Sequence, residues 1–337
     1  MNSRKQQRIC TQNIMNSIQK ISIDASTFCQ LKCPECSTSK GIIKNGIVGS
    51  GVLSFDNFKR TVDCNPSINE IELSNWGEIF LNPDLLNIIK YAYDKNIKLT
   101  AGNGVNFNSV DSNTLEALVV YKFGYINFSI DGASQETYAQ YRIGGNFEKV
   151  ISNIRELNKF KAKHKSIYPK LSWQFILFGH NEHEISTVKE LCKELNMVFN
   201  PKLNHSDFSP IRNPEYVKAE SGLSVSSREE YKEKFNKSYK RPCCQLWFSP
   251  QINWDGKLLG CCVNKWVALG NVFEDGLTNC LQSKQFIELK RVLKGELNVN
   301  EKMPCFFCPT FQQIREQPIT EDEILEYSKF IHPAEKQ

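Results

Sequence analysis

Cys29, Cys33 and Cys36 stand in the order C-x3-C-x2-C within eight residues. On a loop free to curl, three thiolates at that spacing bind three irons of one cubane 4Fe-4S cluster. The fourth iron is then left without a protein ligand, so a small chelating molecule can bind there and receive an electron directly. A structural zinc site competes, but zinc usually takes paired C-x2-C knuckles with a fourth ligand nearby. The spacing and the missing neighbour count against it. A second group, Cys243, Cys261, Cys305 and Cys308, offers four thiolates, enough to ligate one cluster fully or to hold one zinc ion. Cys243-Cys244 and Cys261-Cys262 are adjacent pairs. Neighbouring side chains in an extended segment point opposite ways, so one of each pair faces the metal; Cys243 and Cys261 are the expected ligands.

Such thiols need a scaffold to aim them. Short β-rich runs at 20–25, 70–74, 98–101, 125–130, 171–178 and 197–203 alternate with segments at 84–94, 112–122, 147–163 and 184–195. The latter carry apolar residues at three- and four-residue intervals, as helices packed on a sheet do. This β/α order predicts an α/β fold, a partial (β/α)6 barrel of the TIM type, with functional residues at the C-terminal ends of its strands. The first cysteine group follows the first strand. The alternation fades after about Asn204. The expected organisation is an N-terminal extension (1–19), the barrel (20–220), a polar linker helix (221–240), a small cysteine-rich C-terminal domain (241–315) and a tail (316–337). The cysteine-rich domain should hold a hairpin across Asp255-Gly256 and a helix over 283–294.

The 337 residues are 40% hydrophobic and 23% charged, with a formal charge of +5, which fits a soluble chain with a sizeable core. Charge alone points to no nucleic-acid partner. The first 20 residues lack the apolar core of a signal peptide and no later run is apolar enough for a bilayer, so a cytoplasmic protein without membrane contact is expected. Thirteen cysteines in a reducing compartment call for metal binding or thiol chemistry rather than disulfides.

At its first cysteine group the sequence resembles the radical S-adenosylmethionine (SAM) superfamily, whose signature is this C-x3-C-x2-C after the first strand. Asn75-Trp76-Gly77-Glu78 is similar to the family's G-G-E-P turn, whose backbone contacts the SAM amino group, with Trp76 in place of the first Gly and Ile79 in place of Pro. The resemblance carries over to Gly77 and Glu78. Ser129-Ile130-Asp131-Gly132 is similar to the segment that contacts the SAM ribose and carboxylate, and Arg142 follows where a carboxylate-binding Arg is often found. For Ser129 and Asp131 a strand end and helix cap is the plainer alternative. Asn103 is a further candidate SAM contact, or the first residue of an Asn-Gly turn. Glu35 stands where the family usually has an aromatic residue against adenine, so adenine packing has to come from elsewhere.

The second cysteine group resembles the SPASM/twitch appendage of radical SAM enzymes, supported by Trp247, Asn253-Trp254-Asp255-Gly256 and Leu269-Gly270-Asn271-Val272. Only Cys305-Phe306-Phe307-Cys308 stands in the last cysteine run, which implies the shortened form with one auxiliary 4Fe-4S cluster. Cys10, Cys64, Cys192 and Cys280 are read as ordinary cysteines, any of which is also a possible hydrogen-atom donor. His180 and His183 form a polar loop and helix start, or a weak metal pair.

The resemblance implies a radical SAM oxidoreductase. It would cleave SAM reductively to a 5'-deoxyadenosyl radical that takes hydrogen from an unactivated C-H bond of a small molecule, dehydrogenating or epimerising a sugar or cyclitol. Electrons would come from a reductant such as flavodoxin or ferredoxin. One alternative is a maturase that epimerises or cross-links a ribosomally made peptide; the 28 residues before Cys29 leave no room for a leader-binding domain and tilt the expectation to a small substrate. The alternative from another class is a non-catalytic metal-binding module for RNA, which would need basic patches interleaved with exposed aromatics.

Overall fold

The computed structural model describes residues 18–239, 242–329 and 335–336, so Cys10 and nearly all of the expected N-terminal extension lie outside the described residues. The chain divides into two compact units, each built from separated stretches. The first takes in 18–28, 43–99 and 242–329, and the second 29–42 and 100–239.

In the first unit, β1 (Lys20–Ile23) pairs in parallel with β2 (Glu70–Glu72) on one side and with β7 (Gln251–Ile252) on the other. β7 continues through the Asp255-Gly256 turn into antiparallel β8 (Leu258–Gly260). The expected hairpin is therefore present, and it extends the sheet of β1. Period-two alternation splits this sheet cleanly. Ile21, Ile23, Ile71 and Ile252 share one face, while Ser22, Glu72 and Gln251 share the other, all of them buried.

β3 (Lys98–Val105) carries the chain into the second unit, where it pairs with β4 (Tyr125–Ser129), β4 with β5 (Lys170–Leu177) and β5 with β6 (Val198–Leu203), all in parallel. Here too the faces differ. Phe128, Trp173 and Phe199 lie in register on one side, and Phe147 from the helix Phe147–Lys163 packs on Trp173 with ring centroids 6.4 Å apart. The opposite side carries Tyr125, Asn127, Ser129, Ser172, Gln174, Asn200 and Lys202. Asn127 donates to Gln174 at 2.9 Å, Ser172 to Asn127 at 2.6 Å, and Asn200 to Asn127 at 3.2 Å. A barrel interior is ordinarily filled with branched apolar chains; this wall is lined with hydrogen-bonding groups.

The α/β class and the parallel strand order agree with expectation. Four local features differ. The expected linker helix over 221–240 is confined to Arg228–Phe235, and a separate helix, Pro214–Ser221, precedes it and ends at Gly222 in a left-handed conformation (φ 78°). Ala101 to Gly104 is no turn: β3 runs through it with a bulge, so Asn103 sits exposed on a strand. The tail contains the helix Glu321–Ser328, started by a reciprocal capping box between Thr320 and Glu323. Helices Phe55–Cys64 and Gln135–Tyr141 complete the alternation. No helix among the described residues is long and apolar enough to cross a membrane.

Asn82 fastens the start of the first unit: its Nδ2 donates to Ala25 O at 2.8 Å and to Leu53 O at 2.9 Å, and its Oδ1 accepts from Asp84 N at 2.8 Å. Asn82→Ala strands buried carbonyls and is expected to lower stability by about 2–4 kcal/mol, read as a fall in the urea midpoint.

Candidate functional site

The turn after β2 is shaped around the chain that leads to the first cysteines. A Cβ on Gly77 would lie 2.4 Å from Ser26 O and 2.7 Å from Phe28 O, so only glycine lets the turn rest on residues 26–28. Glu78 N–H donates to Phe28 O at 2.7 Å, and the buried Glu78 carboxylate accepts from Phe80 N, capping the short helix Ile79–Leu81. Trp76 N–H donates to Asp24 Oδ1 at 3.3 Å. The turn thus fixes the residues immediately before Cys29.

In the second unit, Cys33 is buried and Cys29 and Cys36 are half-buried. The loop closes with Cys36 N–H on Cys33 O at 3.2 Å and packs with Leu31 against Tyr141, Phe178 and Phe208. Two donors reach the sulfurs: Asn106 Nδ2 lies 3.6 Å from Cys29 Sγ, and Arg142 Nη1 lies 3.6 Å from Cys33 Sγ. Burial pushes the Cys33 thiol up while Arg142 pulls it back toward ionisation. Such a pocket suits thiolates that share negative charge with a cluster.

Asp131 and Arg142 meet each other. Arg142 donates through Nε and Nη2 to Asp131 Oδ2, both at 2.6 Å, and Ile176 N–H donates to Asp131 Oδ1 at 2.7 Å. Burial raises the Asp131 carboxyl and Arg142 opposes that; burial also works against the Arg142 charge, but Asp131 and Cys33 hold it protonated. The guanidinium fork is anchored on Asp131 by two donors and reaches Cys33 with a third. Ser129 Oγ accepts from Gln174 Nε2 at 3.2 Å on the polar wall.

Glu35 pairs with Lys40 at 2.9 Å. The aromatic surface beside the cysteines comes instead from Tyr141 and Phe178, with ring centroids 4.7 Å apart, and from Phe208, 5.5 Å from Phe178. Sequence reasoning missed these rings, since nothing in their spacing marks residues so far apart. His180 stacks on Phe178 at 5.2 Å, and burial lowers its pKa to about 4; His183 is exposed.

In the first unit, Cys243, Cys261, Cys305 and Cys308 line one cavity with Leu246, Leu259 and Leu289. Cys244 and Cys262 do not line it. Burial, then the neighbouring thiols, push Cys243 and Cys261 upward and Cys305 to about 12. Four mutually repelling thiols in an apolar cavity ionise together only around a cationic centre, so the donor set fits an iron-sulfur cluster. No three His, Cys, Asp or Glu side chains among the described residues are gathered around a single-ion position. The left-handed Gly256 (φ 89°) closes the hairpin, where a Cβ would meet Asn271 Oδ1 at 2.4 Å. Cys192 and Cys280 are buried thiols. Cys64 departs from the ordinary thiol expected of it, being disulfide-bonded.

Residues 243–309 match the SPASM family, an iron-sulfur cluster-binding domain. The fold is similar to that of Streptococcus suis SuiB bound to S-adenosylmethionine, with a TM-score of 0.60 and 16% identity, covering 92% of this chain and 75% of that one. SuiB bound to precursor peptide SuiA gives a TM-score of 0.58 at 15% identity, covering 92% and 74%. Histidine-tagged anSMEcpe with bound AdoMet gives 0.54 at 17%, covering 94% and 97%. Among curated proteins no sequence matches the chain. The family match is confined to residues 243–309, and the fold likeness to these structures extends over more than nine-tenths of the chain.

Anaerobic reconstitution with iron and sulfide should load about eight irons per chain as two 4Fe-4S clusters; a preparation that takes up only zinc contradicts this. Gly77→Ala should leave the auxiliary half of that iron in place while loosening the first half, seen as selective loss of iron and of the matching signal on desalting.

Proposed function

We propose that this protein is a radical SAM oxidoreductase that dehydrogenates a hydroxyl-bearing small molecule. The convergence of Cys29, Cys33 and Cys36 on one nook with donors from Asn106 and Arg142 carries the reading. These three cysteines would hold the first cluster, Cys243, Cys261, Cys305 and Cys308 the auxiliary one, and Gly77, Glu78, Asn103, Ser129, Asp131 and Arg142 are the proposed SAM contacts. When bound, the cluster and SAM supply a one-electron cleavage whose 5'-deoxyadenosyl radical removes a hydrogen atom from carbon.

The chain's own residues do the rest. Gly77 and Glu78 hold the start of the cysteine loop, Arg142 steadies Cys33, and Tyr141, Phe178 and Phe208 present an apolar surface that keeps water from the sulfurs. The amide and hydroxyl groups of β4, β5 and β6 offer a wall that suits a polar substrate. A flavodoxin or ferredoxin is the proposed reductant, and the cytoplasm the proposed compartment.

A second reading, modification of a ribosomal peptide, is favoured by the likeness to SuiB bound to precursor peptide SuiA. The same polar wall would then face peptide groups.

Replacing Cys29, Cys33 and Cys36 together by Ala should abolish 5'-deoxyadenosine formation and leave about half the iron; unchanged cleavage in that variant would falsify the central reading. In a soluble Cys305→Ala, Cys308→Ala variant, 5'-deoxyadenosine formation without substrate should persist while product falls at least about tenfold. Parallel loss of both, with loss of solubility, would mark the second site as structural.

A further inference from the structure

Behind the 75–78 turn, in the first unit, polar side chains form one directed chain of hydrogen bonds. The Cys262 N–H donates to Gln245 Oε1 at 2.9 Å. Gln245 Nε2 donates to Gln251 Oε1 at 3.4 Å and to Ser22 Oγ at 3.2 Å, and Gln251 Nε2 donates to Asp24 Oδ2 at 3.2 Å. Both carboxamides point the same way, so each dipole polarises the next and all end on one carboxylate. The chain also returns. Trp76 N–H donates to Asp24 Oδ1 at 3.3 Å, and its neighbour Asn75 donates through Nδ2 to Cys262 O at 3.2 Å. The result is a closed ring between the 75–78 turn and the segment that carries Cys261.

Asp24 is fully buried and Gln251 nearly so. The charged groups that face Asp24 are acids: Glu72 from β2, and Asp255 from the turn between β7 and β8, itself paired with Lys257. Burial, reinforced by these acids against the pull of Trp76 and Gln251, raises the carboxyl to about 8. Asp24 is therefore poised to change charge near neutral pH, at the far end of a ring fastened to the auxiliary site.

We propose that Asp24 takes up a proton when the auxiliary site gains an electron, with the Gln251–Gln245–Cys262 ring transmitting the coupling. This rests on the reading that Cys243, Cys261, Cys305 and Cys308 hold a cluster. Added negative charge beside Cys262 disfavours the Asp24 carboxylate, so the reduced state binds the proton more tightly. In the dehydrogenation proposed above, the substrate radical must still lose one electron and one hydroxyl proton to become a carbonyl. A cluster held by Cys243, Cys261, Cys305 and Cys308 would accept that electron, the hydroxyl proton would leave to solvent, and Asp24 would take up one proton from solvent to offset the charge added to the site. Asp24 acts here as a positioning residue, through the ring.

The test uses the full chain with Cys29, Cys33 and Cys36 changed to Ala, reconstituted so that the auxiliary cluster is the one redox centre. Its midpoint potential is followed by EPR between about pH 6 and 10, a window that brackets the Asp24 titration. The expected curve is flat at low pH, falls around pH 8 by up to about 59 mV per pH unit, the value for one proton per electron, and then levels. Asp24→Asn in that background should remove the fall, and Gln251→Leu, which keeps the acid and cuts the ring, should shrink it. A pH-independent potential in the iron-loaded parent overturns the proposal, as does an undiminished fall in either soluble variant. A parent without iron overturns the cluster reading and this inference together.

Discussion

β1 is bonded on both edges, to β2 and to β7, and the first unit depends on that double pairing. Ser22 has Glu72 in register on one side and Gln251 on the other, so strands distant in sequence are held within one hydrogen-bond ladder. Because parallel pairing keeps the side chains of matched residues on the same face, the register also decides which groups meet. Ser22 and Gln251 come together on the polar face, with Asp24 just past the strand end. A one-residue slip of β7 would turn Gln251 away and bring Ile252 in its place. The placement of the hairpin, and through it of Cys261, follows from that register.

The two sheet faces divide the labour between stability and chemistry. One face packs rings and branched chains, as with Phe107 on Phe128 at 4.7 Å, and supplies hydrophobic stabilisation of the order expected for buried side chains, about 1.5–3 kcal/mol each. The other face buries polar groups, which is tolerable only because they satisfy one another. Asn127 alone engages Gly102, Gln174, Ser172 and Asn200. Near the first cysteines the same economy holds: Asp131 accepts from Arg142 and Ile176, so the buried carboxylate has partners on both oxygens.

Much of this was legible in the sequence, because period and punctuation act locally. The six barrel strands, the helix Phe147–Lys163 and the hairpin lie where alternation, helical spacing and Asp255-Gly256 put them. Cys243 and Cys261 line the cavity and Cys244 and Cys262 do not, although Cys243 and Cys244 sit in the short helix Pro242–Cys244 and not in the extended segment on which that expectation rests. What could not be read was long-range. Nothing local says that Gln251 meets Asp24, that Phe208 joins Tyr141 beside the cysteines, or that Arg142 turns to Asp131. The capping box at Thr320 and the glycine stop at Gly222 are different, since both are local signals carried by neighbouring residues in the sequence.

The pairing of β1 with β7 also bears on how the chain is made. Ser22 and Gln251 are matched residues, yet at ribosomal speeds of about 5–20 residues per second, roughly 10–45 s separate their synthesis. For that interval one edge of β1 is exposed and its apolar face only partly covered, while the second unit, drawn from the stretch between, can begin to fold on its own local contacts. An unpaired strand edge in a nascent chain is a site for chaperone capture or for wrong pairing with a neighbour on the same messenger. The rate of synthesis should therefore influence how much of this chain reaches its native pairing.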